Sequence, residues 1–137
     1  IDNPNSSTLQ RIGKQAPLHG TGSGKILLSQ YTEPQLEEYI NHGLTKYTEH
    51  TIIDATLLRA ELSAIRRQGY ALDNEECEIG LRCVSCPLYD YTGRIIAAMS
   101  VFGKTSDMTD ARIDSEILPK LREVTSVVST RLGYVAI

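Results

Sequence analysis

"GLRCVSCPLYDYTGRIIAAMSVFG", residues 80–103, is the stretch whose reading decides the fold. Gly80–Tyr89 and Arg94–Phe102 are strand-like runs and "DYTG" between them is a turn signal, so the spacing predicts an antiparallel hairpin. With Asp90–Gly93 at a tight tip, Cys83 opposes Ser100, Leu81 opposes Phe102 and Ser85 opposes Ala98. Strand alternation then puts these six side chains on one face, and Val84, Cys86, Leu88, Ile95, Ala97 and Met99 on the other, apolar face. A bulge at the turn would shift this register, and Pro87 costs a ladder bond or marks an edge. The first face mixes a thiol and hydroxyls with apolar neighbours, the composition of a small-molecule pocket wall. The same residues also fit a structural role, with Cys83 as a small core hydrophobe and Ser100 bonded to backbone.

"CVSC", residues 83–86, raises redox and zinc chemistry. A redox C-x-x-C sits at a helix N-terminus, where the dipole lowers the thiol pKa. Within a strand, alternation instead sends Cys83 and Cys86 to opposite faces. Zinc would need a second Cys or His pair; only Cys77 is left over, and His19, His42 and His50 are scattered. A nucleophilic Cys83 would want a histidine and an orienting carboxylate, and nothing in the sequence brings His19 to it.

Working outward, Asp54–Gln68 is the clearest helix. Leu58, Leu62 and Ile65 share one face, Asp54 can cap the start, Arg66 and Arg67 suit the C-terminal dipole, and Gly69 supplies a left-handed stop. "TEPQLEEYINH" reads as another helix, with Thr32 as N-cap, Pro34 in the first turn and Gly43 at the end. Ile26, Leu27 and Leu28, within Gly24–Gln30, predict the first turns of a buried helix. A strand should follow from Tyr70, with "DNEECE" as a polar break. The last element runs from about Asp110 to Arg131, with a stripe of Ile113, Ile117, Leu121, Val124 and Val128; Pro119 inside it should kink it, and Gly133 ends it. Residues 1–21 carry little periodicity, "QRIGK" being at most a short strand end. The loop-like opening and the absence of an initiator Met read as a fragment of a longer protein. Helices, then a hairpin, then a helix, with no repeat and no second domain, indicate one α+β domain over residues 1–137.

"LHGTGSGKILLS", residues 18–29, poses a separate question. A phosphate-binding loop would need glycine where His19 stands and Ser or Thr where Ile26 stands. The dinucleotide fingerprint also fails, because its third glycine falls one residue early and no strand pattern precedes it. A flexible turn remains, as does a helix start whose bare backbone lets an anion, carboxylate or phosphate, approach first-turn amides.

The chain has 137 residues, enough for one buried core, and an ordinary balance of 41% hydrophobic and 23% charged residues. A net charge of −3 argues against this chain gripping nucleic acid by itself. No apolar run approaches the ~18 residues of a membrane span and no secretory signal is visible. Three cysteines without framework spacing suggest reduced thiols in the cytoplasm.

"IRRQGYALDNEECEIGLRCVSCPLYDYTGRIIAAMSVFG", residues 65–103, closely resembles the effector-binding domain of IclR-type bacterial transcriptional regulators. That family's pattern runs R-x-x-G-Y/F-A, D-x-E-E, G-x-R-C, a strand with proline, a D-x-x-G turn and a strand ending S-x-S/F-G. "PLHGTGSGKILLS" resembles its helix start and "HTIIDATLLRAEL" its T-I-T-d-x-x-x-L-x-x-E-L segment, so the likeness covers about residues 16–133. The resemblance implies a sensor and not an enzyme: a GAF-like or profilin-like antiparallel sheet flanked by helices, with a long C-terminal helix. It implies assembly as dimers or tetramers, and DNA contact through a separate N-terminal winged helix-turn-helix. It implies a small carboxylate effector, such as a keto acid or sugar acid, with no cofactor, metal or membrane. Carried over by position, Gly22 and Ser23 would donate backbone N–H groups to the carboxylate, Asp73, Cys83 and Ser100 would contact the rest, and Leu81 and Phe102 would wall the pocket. Two departures stand out. Phe102 replaces a serine found in many members, removing a hydrogen bond and adding an apolar wall, and the family domain usually begins with a helix and strands ahead of the segment matching Ile1.

Two other classes compete with the sensor. One is a small enzyme with Cys83 as nucleophile and Asp73 as acid/base, acting on a small organic acid; the other is a purely structural dimerisation domain. Asp73 and Cys83 alone would make a weak metal site. Tyr31, Tyr39 and Tyr47 would serve contacts or simply sit on helices.

Overall fold

The computed structural model describes residues 17–136. The expected loop over the first residues and the strand end over "QRIGK" lie outside them. Helix α1 is Gly22–Leu28, α2 is Glu33–Asn41 and α3 is Ala55–Gln68. Strands β1 (Ala71–Asn74), β2 (Leu81–Tyr89) and β3 (Ile95–Lys104) form an antiparallel sheet in that order. The C-terminal helix comprises a short α4 (Asp110–Arg112), a π-helical turn (Ile113–Ile117) and α5 (Leu118–Arg131).

Local chemistry sets the helix ends. Thr32 and Gln35 form a reciprocal capping box at α2, and Pro34 occupies its first turn. Asp54 accepts the Leu57 N–H at 2.9 Å to start α3, and Gly69, at φ 79°, stops it in the left-handed conformation. These elements match the sequence reading to within about a residue.

The sheet divides the core. On one face Ile26, Leu28, Leu36, Leu58, Leu62, Ile65 and Ala71 pack together from α1, α2, α3 and β1. On the other, Val84, Cys86, Met108, Ile113, Leu118 and Leu121 pack the C-terminal helix against the strands. The hairpin register corrects the expectation. Cys83 pairs with Phe102 and Ser85 with Ser100, each two residues along from the tight-turn alignment. Two single-residue insertions cause this. Gly93, at φ 80°, closes a three-residue loop in which the Asp90 N–H donates to Arg94 O at 3.1 Å. A bulge then leaves Ile96 unpaired between Ala97, opposite Leu88, and Ile95, opposite Tyr89. One insertion would exchange the two faces, and two restore them. Cys83, Ser85, Ser100 and Phe102 therefore still share a face, but Ile95, beyond the bulge, packs with the α1–α3 cluster and not with Met99. Pro87 lies past the end of β1, whose last pair is Ala71 with Ser85, so its missing N–H breaks no ladder on that side.

The C-terminal stripe is also corrected. Pro119 has no N–H to give to the preceding turn, and just ahead of it the Leu118 N–H reaches back five residues to Ile113 O. This extra residue rotates the helix. Downstream, Leu118, Leu121, Thr125 and Ser129 are buried, while Val124 is 38% exposed. Leu121→Ala is expected to cost about 2–5 kcal/mol. Val124→Ala should cost less than about 1 kcal/mol. Urea unfolding of the two variants checks which stripe faces the sheet.

Candidate functional site

The site begins at the N-terminus of α1. Thr21 caps it: extended backbone lets its Oγ accept the Gly24 N–H at 3.0 Å while donating to Pro17 O at 2.9 Å. The glycines that follow are required by packing. A Cβ on Gly22 would lie 2.5 Å from Ser85 Oγ, and one on Gly24 would lie 2.5 Å from the Leu18 backbone. The bare backbone thus lets the first turn press against the polar face of the hairpin. Neither nucleotide reading is needed to explain it.

Across that contact runs a chain of hydroxyls. Ser23 Oγ is 2.6 Å from Ser100 Oγ, which is 2.6 Å from Ser85 Oγ, which is 3.5 Å from Cys83 Sγ. Three serines bring three protons to two O···O contacts, so one proton points onward from the chain.

On the far side, β1 places Asp73 opposite Cys83. Asp73 is only 5% exposed, and its Oδ1 accepts the Glu76 N–H at 2.9 Å. Glu76 is held in turn. Its Oε1 accepts from Lys25 Nζ at 2.9 Å and its Oε2 from the Asn74 N–H at 2.9 Å, while Thr51 Oγ1 donates to its carbonyl. Lys25 is fully buried on α1, with Nζ also 2.6 Å from Leu72 O and 3.8 Å from Glu61 Oε1. One buried ion pair therefore ties the helix start to the corner that carries Asp73.

Between these walls lies a cavity of about 190 Å³. The helix start contributes Thr21, Gly22 and Ser23, β1 contributes Asp73, and the hairpin contributes Leu81, Cys83, Ser100 and Phe102. All seven residues singled out in the sequence meet there. Thr21 was missed, although a threonine ahead of a helix start is a capping signal. Ser85, fully buried behind the lining, was placed on the right face but not recognised as the link between Ser100 and Cys83. First-turn amides lack intrahelical acceptors and favour an anion, the hydroxyls donate or accept, and Asp73 accepts. The volume lies below the ~300 Å³ typical of drug-sized sites, which suits a small metabolite.

The nucleophile arrangement is not assembled. No histidine lines the cavity, and the His19 ring nitrogens sit 2.8 Å from Tyr39 Oη and 2.8 Å from Thr45 O. Cys83 and Cys86 face opposite ways, as the strand reading requires. Burial pushes the Cys86 thiol up, against a smaller opposing effect of the Arg122 guanidinium. Among the described residues no group of three or more His, Cys, Asp or Glu is placed to hold a metal ion, and no helix is long and apolar enough to cross a membrane. A second cavity, of about 220 Å³, lies between the end of β2 and α5; there Thr125 and Thr130 donate to α5 carbonyls and Ser129 Oγ accepts the Tyr89 N–H at 3.0 Å.

Residues 2–130 match the family described as bacterial transcriptional regulator IclR C-terminal. The HTH-type transcriptional repressor AllR of Salmonella paratyphi A is 37% identical over 123 residues, covering 89% of this chain and 45% of the repressor. The Thermotoga maritima IclR crystal structure superposes with a TM-score of 0.79 at 38% identity, covering 87% of this chain and 48% of that one. The inducer-binding domain of the PobR transcription factor from Acinetobacter, a double mutant in complex with 3-hydroxybenzoic acid, superposes with a TM-score of 0.80 at 30% identity, covering 85% of this chain and 67% of that one. The chain spans about half the length of the regulators it matches.

Gly22→Ala drives a methyl into Ser85 Oγ and is expected to cost about 1–3 kcal/mol in urea unfolding. Adding Ser85→Ala removes the colliding oxygen and should recover part of that loss.

Proposed function

We propose, for a chain that belongs to the IclR family of bacterial transcriptional regulators and matches its C-terminal domain, that the cavity between α1 and the hairpin binds a small carboxylate effector, such as a keto acid or sugar acid. One observation carries this reading: the first-turn amides of α1 and the polar face of the hairpin enclose the same small cavity. The ligand's carboxylate meets the amides of Gly22 and Ser23, its remaining polar groups meet Asp73, Cys83 and Ser100, and Leu81 and Phe102 pack on its carbon skeleton.

The chain is a sensing module and not an enzyme. The absence of a histidine beside Cys83 supports this, as do relatives that are regulators. A ligand touching both α1 and the hairpin shifts a conformational equilibrium to the extent that it prefers one spacing of those two elements. The relatives are named HTH-type and are about twice as long, which supports a separate N-terminal helix-turn-helix for DNA. On this reading the cytoplasmic regulator works as a homo-oligomer, dimer or tetramer.

A thermal-shift screen of small carboxylic and sugar acids tests the reading. A ligand at a hundred times its Kd should stabilise the native state by about 2.7 kcal/mol. It should also slow alkylation of Cys83 by iodoacetamide, followed by peptide mass spectrometry. Ser100→Ala is expected to weaken binding severalfold with little change in melting temperature. A stabilising acid whose affinity is unchanged by Ser100→Ala and Asp73→Ala, and which leaves Cys83 unprotected, would move the site elsewhere.

A further inference from the structure

We infer that the second cavity, between the end of β2 and α5, binds a small oxyanion, carboxylate or phosphate, at Arg122, independently of the effector cavity. The two cavities lie on opposite faces of the sheet, since Cys83 lines one and Cys86 the other. The second has a volume of about 220 Å³ and brings Arg122 together with hydroxyls of the same helix. Its guanidinium is held on two sides by residues outside α5. It gives one N–H to Gln68 O at 2.8 Å and lies over the Tyr70 ring, 5.2 Å from the centroid. The planar group is thereby fixed at the cavity, with most of its N–H donors left over from that one hydrogen bond.

Helical spacing adds donors beside it. Ser126 and Ser129 stand four and seven residues after Arg122, on the same face of α5, and both line the cavity. Ser129 is 2% exposed; its Oγ accepts the Tyr89 N–H at 3.0 Å, which leaves its own O–H to give. Ser126 sits on the exposed rim, where its hydroxyl is open to a guest. Thr125 and Thr130 spend their protons on the carbonyls of Arg122 and Ser126. Burial raises both the Cys86 thiol and the Tyr89 phenol, so neither brings negative charge to the cavity. A fixed guanidinium fork flanked by hydroxyl donors matches the paired oxygens of a carboxylate or phosphate. A cationic guest is repelled by Arg122, and a neutral one displaces water from the guanidinium without returning a charge-assisted hydrogen bond.

NMR titration of the full chain with sodium phosphate and, separately, sodium acetate tests this, following the amide signals of Ser126, Ser129 and Thr130. At least one of the two anions is expected to shift these signals saturably, and its affinity should fall as sodium chloride is added. The tighter of the two distinguishes a phosphate from a carboxylate ligand. Arg122→Gln is expected to weaken binding at least about tenfold. Arg122→Lys, which keeps the charge and loses the fork, should weaken it about threefold. Ser126→Ala changes only the exposed rim and should also cost about threefold. The amide signals of Gly22 and Ser23 report on the effector cavity in the same spectra. Acetate shifting those signals alone overturns the inference and leaves the effector reading standing. The inference is equally overturned if neither anion gives a saturable shift along α5, or if that shift persists at unchanged affinity in Arg122→Gln.

Discussion

The site depends on a contact that only hydrogen at Gly22 allows. The first turn of α1 lies so close to β2 that a methyl would overlap Ser85 Oγ. That proximity brings Ser23 within hydrogen-bonding distance of Ser100 and turns two separate elements into facing walls. One turn further along, Lys25 projects into the interior and meets Glu76. A buried amine is tolerated when it is paired and hydrogen-bonded, and here a carboxylate and a carbonyl take two of its N–H donors, with Glu61 Oε1 3.8 Å away. Glu76 then shapes the corner that presents Asp73. A single short helix thus positions both the amide wall and, through an ion pair, the acidic wall opposite.

The sheet separates this polar arrangement from the aliphatic cluster under α5. Val84 and Cys86 point into the aliphatic cluster under α5, while Cys83 and Ser85, their neighbours in sequence, point to the cavity side. Alternation along one strand therefore serves packing and recognition at once. Removing a hydroxyl on the cavity side leaves the opposite core untouched, whereas trimming Leu118 or Leu121 opens it.

Much of the fold was legible because its signals are local. Caps such as Asp54, stops such as Gly69 and the Leu58–Leu62–Ile65 face act within one or two turns, and they can be read from neighbouring residues. Where two structural defects combine, reading fails. Nothing in "YTGRII" reveals that Gly93 and Ile96 each add a residue to the hairpin, and the pocket face was identified because the two shifts cancel in parity. At Pro119 the kink was expected, but the π turn ahead of it was not, so the buried stripe moved from Val124 and Val128 to Thr125 and Ser129. Lysines are seldom buried, so nothing local in "GSGKILL" places Lys25 in the interior. Its role depends on Glu76, far along the chain, and no local pattern carries that.

The serine chain has a property that the positions of its heavy atoms do not display. With one proton in excess of its contacts, the Ser23–Ser100–Ser85 series can be threaded in either sense, and reversal requires only rotation about C–O bonds. The wall is consequently amphoteric: it offers a lone pair to one guest and a hydrogen to another at almost no mechanical cost. On the proposed reading, the groups of fixed polarity in this wall are the peptide amides of the helix start and the Asp73 carboxylate.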